Sequence, residues 1–301
     1  MSDNSNFDNV NNNVDNTLAT MQKKEQQQFG GTKVDLDFDE LKLYFGDDYY
    51  PTPKICIHQP TIGDIVEFGD SKFYSIVSTL CSNPTSFRLQ LWDMGIDWNK
   101  MADFDLFKLL IKNYDVEDTK LLFGDLNLSW FEEFHDNQSD CDVLVYIPRD
   151  DNGMPIELKF DSLDELTCIY EKDFIKIVEY LRYMFNIHPK VEKTRSKSTK
   201  EAIIDEERMN LAASQRNNND INKPKSFLLP LISSLLNHPG FKYKKTELRE
   251  VGIVEFMDSV RRLQTYESTT ALMKGIYSGM VDTSKIKNLD KELNWMKDLN
   301  E

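Results

Sequence analysis

The chain has 301 residues, 40% of them apolar and 29% charged, with a formal net charge of −15. Its 18 Phe, 12 Tyr and 4 Trp exclude a chain disordered throughout, and its length suits two compact units. The whole negative excess sits in residues 1–150, with 27 Asp/Glu against 12 Lys/Arg, which argues against general binding to nucleic-acid phosphates.

Residues 1–40 read as a disordered acidic, Asn-rich tail, with Asn11-Asn12-Asn13, Gln26-Gln27-Gln28 and few groups able to offset the cost of ordering. Residues 41–188 read as an N-terminal α+β domain. Lys54 to His58 alternates like a strand. Thr61 with Asp64 makes a capping box for a short helix that Gly69 ends. Asp70 is predicted to cap the next helix, with Phe73, Ile76, Val77 and Leu80 on its inner face. Pro84 opens a third, and Gly95 to Trp98 breaks it. Asp103 and Asp115 are predicted caps for two more, the second stopped by Gly124.

The period then changes. Cys141 to Ile147 and Pro155 to Phe160 are rich in β-formers and flank Asn152-Gly153, so a hairpin is predicted between them. Ile169 to Phe185 is an amphipathic helix with Phe174, Ile177, Val178 and Leu181 aligned. Residues 189–225 read as a charged, solvated linker. It holds the basic run Lys190, Lys193, Arg195, Lys197, Lys200, for which pairing with the acidic first half is the alternative to a solvated linker, and a charged helical pattern from Glu201 to Arg216. Residues 226–301 read as a C-terminal helical unit. Phe227 to Leu236 is one helix there and Thr246 caps another. A core stripe then runs through Phe256, Val260, Leu263, Ala271, Leu272 and Ile276. The fold class expected is α+β, predominantly α-helical.

Motifs of known chemistry are missing. The chain has no P-loop, GxGxxG or GxSxG string, and its four histidines fall in no zinc-protease spacing. Cys56, Cys81, Cys141 and Cys168 form no CxxC pair and read as small buried hydrophobes. Asp35-x-Asp37-x-Asp39 opens like a calcium loop, but Glu40 and Gly46 stand where the loop needs Gly and Glu. No catalytic, cofactor-binding or metal residue is assigned, and the expected function is not enzymatic. The longest apolar stretch, Phe227 to Leu236, contains Pro230 and is too short to span a bilayer. The Asn-rich start has no secretory pattern, so a reducing, cytoplasmic location is expected.

Aromatic and methionine residues gather near segment ends. Trp92, Trp98 and Met101 cluster at a helix break, Tyr277 stands between Gly275 and Gly279, and Trp295-Met296 lie near the C-terminus. Such side chains are adaptable contacts for apolar partners, so these six are the candidate partner-binding residues.

Several longer strings carry a likeness. They are Ile55-Cys56-Ile57-His58-Gln59-Pro60-Thr61-Ile62-Gly63-Asp64-Ile65, Gly95-Ile96-Asp97-Trp98, Leu122-Phe123-Gly124-Asp125, Ala271 to Gly279, and Leu293-Asn294-Trp295-Met296. Over residues 41–188 and 226–300 the chain resembles tail assembly chaperones of tailed bacteriophages that infect Gram-positive bacteria. The resemblance implies a helper in the host cytoplasm that leaves no trace in the virion. It would bind the helical tape measure protein and keep it soluble until tube subunits polymerise around it. The tail tube protein is a second implied partner, and several copies along one tape measure allow a homo-oligomer. No nucleic acid, membrane or cofactor is implied. The competing reading is a structural virion component of the tail or baseplate.

Overall fold

Eleven α-helices and two small antiparallel sheets make up the described residues, an α+β fold dominated by helix. The structure is a computed structural model that describes residues 37–150, 153–156, 165–217, 226–297 and 299. Most of the predicted tail lies outside the described residues.

Helix α1 (Glu40–Phe45) leads into the hairpin β1 (Tyr49–Thr52) and β2 (Ile55–Ile57). Helices α2 (Ile62–Phe68) and α3 (Asp70–Leu80) follow. The Thr61 hydroxyl accepts from the Asp64 amide at 3.2 Å, and the Asp64 carboxylate accepts from the Thr61 amide at 2.9 Å, so the predicted capping box forms. Asp70 does not cap α3, because Gly69 holds that position and Asp70 is the first helical residue. Its carboxylate instead accepts from the Ser226 hydroxyl at 2.6 Å and the Leu228 amide at 3.1 Å. Burial pushes this carboxyl up, but donors from Ser226, Leu228, Ser71 and Phe227 outweigh burial and hold it below the usual carboxylate range.

A 3-10 turn from Pro84 precedes α4 (Arg88–Asp93), then come α5 (Asp103–Leu110) and α6 (Val116–Phe123). Ala102, not Asp103, is the N-cap of α5, whereas Asp115 caps α6 through the Asp118 amide at 3.1 Å. The second sheet has the order β3 (Phe131–Asp136), β4 (Cys141–Tyr146), β5 (Cys168–Ile169). The hairpin partner of β4 among the described residues is therefore β3, in register Phe131↔Tyr146 to Asp136↔Cys141. The run after Gly153 meets the chain at one bridge, Arg149↔Pro155, and its continuation to Phe160 lies outside the described residues.

Helix α7 (Glu171–Phe185) runs through the core with Phe174, Ile177, Val178 and Leu181 buried as predicted, and with Tyr180 and Met184 beside them. Beyond it come α8 (Lys197–Asn217), α9 (Leu228–Asn237), α10 (Ile253–Tyr277) and α11 (Leu289–Leu293). One hydrophobic core joins residues from Leu43 to Val260. The C-terminal segment is sewn to α2 at a single seam. The Ile62 amide donates to the Val251 carbonyl at 2.9 Å, and the Ile253 amide donates to the Pro60 carbonyl at 3.1 Å. Helix α10 starts after Gly252, so the helix expected from Thr246 is only a 3-10 turn over Glu247–Glu250.

The described part of the segment read as a solvated linker, residues 189–217, is docked at several points instead, and its basic run does pair with the acidic first half. The Asn83 side-chain amide donates to the Lys190 carbonyl at 3.0 Å, and Lys200 pairs with Asp97 at 2.7 Å. That ammonium holds the Asp97 carboxyl below its ordinary range. Ile204, 1% exposed, completes a second small core with Leu91, Trp98 and Leu106. Ile204→Ala removes the one buried apolar anchor of α8, at a cost of about 2 kcal/mol or more. The expected result is faster proteolytic cleavage within 190–217 with the urea midpoint of the main core unchanged, as a locally opening unit requires.

Three of the four cysteines are half-buried, namely Cys56, Cys141 and Cys168, so the reading of all four as buried hydrophobes holds for Cys81 alone.

Candidate functional site

The start of α10 lies in the core through Ile253, Phe256 and Val260. Twenty-five residues of helix reach about 37 Å, and the residues that pack in or against the main core end at Leu263, so the rest of the helix extends beyond it. The stripe expected to continue the core through Ala271, Leu272 and Ile276 does not, because Ala271 is exposed and Leu272 and Ile276 are only half-buried.

Two apolar surfaces result. One is a groove of about 380 Å³ between α9 and α10. Leu231, Leu235, Val260 and Leu263 line it from both helices, with Ser234 and Gln264 among its polar groups. The residues of α9 fall at i, i+3 and i+4, and those of α10 at i, i+3 and i+4, so each helix presents one face. His238 Nε2 and Glu267 Oε1, 3.2 Å apart, close one edge.

The second surface is the outer face of the emergent arm. Tyr266, Met273 and Tyr277 recur at i, i+7 and i+11 and are all exposed, as is Met280 just beyond the helix end. Between Gln264 and Met280 the only charged side chains are Glu267 and Lys274, in a chain otherwise dense in charge. A surface of this kind loses little hydration of charged groups when it is covered.

The C-terminal segment returns along the arm. The Arg262 guanidinium donates to the carbonyls of Trp295 at 3.2 Å and Lys297 at 2.6 Å. The Thr269 hydroxyl donates to the Glu292 carbonyl at 3.2 Å. Trp295 meets Tyr266 edge-on with centroids 5.7 Å apart, a favourable aromatic geometry. Trp295 is 42% exposed, Met296 70% and Tyr277 84%, so these three predicted contact residues are accessible.

The other three do not join them. Trp98 is 3% exposed, and Trp92 and Met101 pack around it under Ile204. Trp92 and Trp98 make an edge contact at 5.7 Å, and the Lys200 ammonium lies 5.7 Å from the Trp98 ring centroid. The cluster at the helix break is a core, and its cover comes from a helix about a hundred residues further along the chain. Tyr266, Met273 and Met280 were not among the predicted residues. Their spacing on one helix face was visible in the sequence, but the same stretch also offered a core-like stripe.

No protein family, curated protein or solved structure matches this chain. No helix among the described residues is long and apolar enough to cross a membrane.

Proposed function

We propose that this protein is a phage tail assembly chaperone that acts in the host cytoplasm on the helical tape measure protein. The observation that carries the reading is the emergent half of α10, a weakly charged arm with exposed Tyr266, Met273 and Tyr277 on one face. A tape measure exposes long apolar helical stripes. A helix of that kind gains most by laying its stripe along another apolar helical surface. The acidic N-terminal half supplies repulsion between coated complexes, which keeps them apart in solution. Each arm offers a small contact, so several copies along one tape measure bind through repetition of weak contacts. This cycle involves no nucleotide.

The test is co-expression with the tape measure protein encoded in the same genome. The expected result is a larger soluble fraction of the tape measure protein, co-elution of the two proteins, and purified particles that lack the chaperone. Tyr277→Asp with Met273→Asp abolishes co-elution and moves the stability of the isolated chain by no more than about 0.5 kcal/mol, as exposed sites do. Unchanged solubility together with retention in purified particles overturns the reading in favour of a virion subunit.

A further inference from the structure

Three donor groups of different chemistry converge at the base of the first hairpin. Asp48 precedes β1, Cys56 lies in β2 and His58 follows it. The Asp48 carboxylate is 2.7 Å from His58 Nδ1, and the Cys56 sulfur is 3.8 Å from the same nitrogen. One ligand atom from each lies within 4.8 Å of the other two.

The geometry separates two kinds of chemistry. A thiol–imidazole–carboxylate relay needs the thiol on one ring nitrogen and the carboxylate on the other. Here both face Nδ1, so the ring cannot take a proton from sulfur while the carboxylate steadies its far side. Convergence of sulfur, nitrogen and oxygen on one point is what a cation requires. Bond lengths of about 2.0 Å to N and O and about 2.3 Å to S, in a tetrahedron, put the donor atoms roughly 3.2–3.6 Å apart. The spacings found here straddle that range, so only small rotations separate the present arrangement from a coordinated one.

The ring is also held in place. The His58 amide donates to the Leu122 carbonyl at 2.8 Å. A Cβ on Gly124 would lie 3.3 Å from His58 Nε2, so the end of α6 backs the ring and leaves Nδ1 facing the cluster.

We propose that Asp48, Cys56 and His58 bind one zinc-class divalent cation, which clips together the two ends of the β1–β2 hairpin. The mixed S, N, O set selects Zn²⁺ or Co²⁺ over Ca²⁺ and Mg²⁺, which take all-oxygen shells. The clip is separate from the α10 arm and stands whether or not the chaperone reading does.

The test uses the full chain stripped with chelator and titrated with Co²⁺. The expected result is a thiolate-to-cobalt charge-transfer band that saturates at one equivalent and is bleached by Zn²⁺. Zn²⁺ is also expected to shield Cys56 from alkylation in the unmutated chain, which needs no variant to fold. Cys56→Ser removes the band, Asp48→Asn weakens binding roughly 10-fold or more, and Cys141→Ser leaves it unchanged. Absence of the band in the intact chain overturns the proposal, as does a band that survives Cys56→Ser or alkylation of Cys56 indifferent to Zn²⁺.

Discussion

Phe256→Ala lowers the unfolding free energy of the main body by about 3–5 kcal/mol. Phe256 is completely buried, one turn into α10, in the core that also holds Leu43, Ile65, Phe73 and Ile177. Truncation removes a ring from a close-packed site whose walls belong to several elements and cannot collapse together. Urea unfolding followed by circular dichroism measures the effect. Phe45→Ala is the matched control, because Phe45 is 78% exposed on α1 and its loss costs no more than about 0.5 kcal/mol. Equal effects at the two positions would show that α10 is not part of the core. That would also remove the rigid base on which the proposed arm stands.

The seam between α2 and the C-terminal segment gives the second large effect. A Cβ on Gly63 would lie 2.7 Å from the Arg249 carbonyl oxygen and 3.3 Å from the Arg249 Cβ. The obstruction is backbone and cannot swing aside, so Gly63→Ala forces the two segments apart. Overpacking of this kind costs about 1–3 kcal/mol. Separation also weakens the two backbone hydrogen bonds at Ile62 and Ile253, each worth about 0.5–1.5 kcal/mol. Gly252 meets the same seam from the other side, where a Cβ would lie 2.3 Å from the Gln59 side-chain oxygen. Gly63→Ala and Gly252→Ala are therefore expected to be non-additive, since the first already opens the gap the second needs. Thermal unfolding of both single variants and the double variant checks this. Strict additivity would mean that the two glycines do not share one contact.

Local signals in the sequence were reliable where the chain decides its own structure. The Thr61–Asp64 capping box, the Asp115 cap and the inner face of α7 all formed as spacing predicts. Asp70 departed because a segment more than 150 residues away supplies better donors than its own helix. The hairpin partner of β4 was missed because Phe131 to Asp136 carries two glutamates, an aspartate and a histidine, and only its ends are buried. Polar cross-strand positions hide a strand from any reading based on hydrophobic alternation.

The site residues divide for the same reason. A local cluster of Trp and Met has the same appearance whether solvent or a distant helix covers it. Trp98 is covered by α8, whose charged pattern concealed the single buried Ile204. Tyr277, Trp295 and Met296 have no such cover among the described residues. The Asp48, Cys56, His58 grouping escaped notice because its members meet across a hairpin turn, a proximity that sequence spacing does not encode.

The seam at Gly252 also sets a schedule for synthesis. Gln59 accepts from the Val254 amide, a contact spanning 195 residues. At about 5–20 residues per second, roughly 10–40 s separate translation of its two ends. Throughout that interval the emerging N-terminal half lacks Ile253 and Phe256, which are completely buried members of the core it shares with Leu43, Ile62 and Ile65. A protein read here as guarding another chain's apolar helices thus begins its own life in need of the same protection.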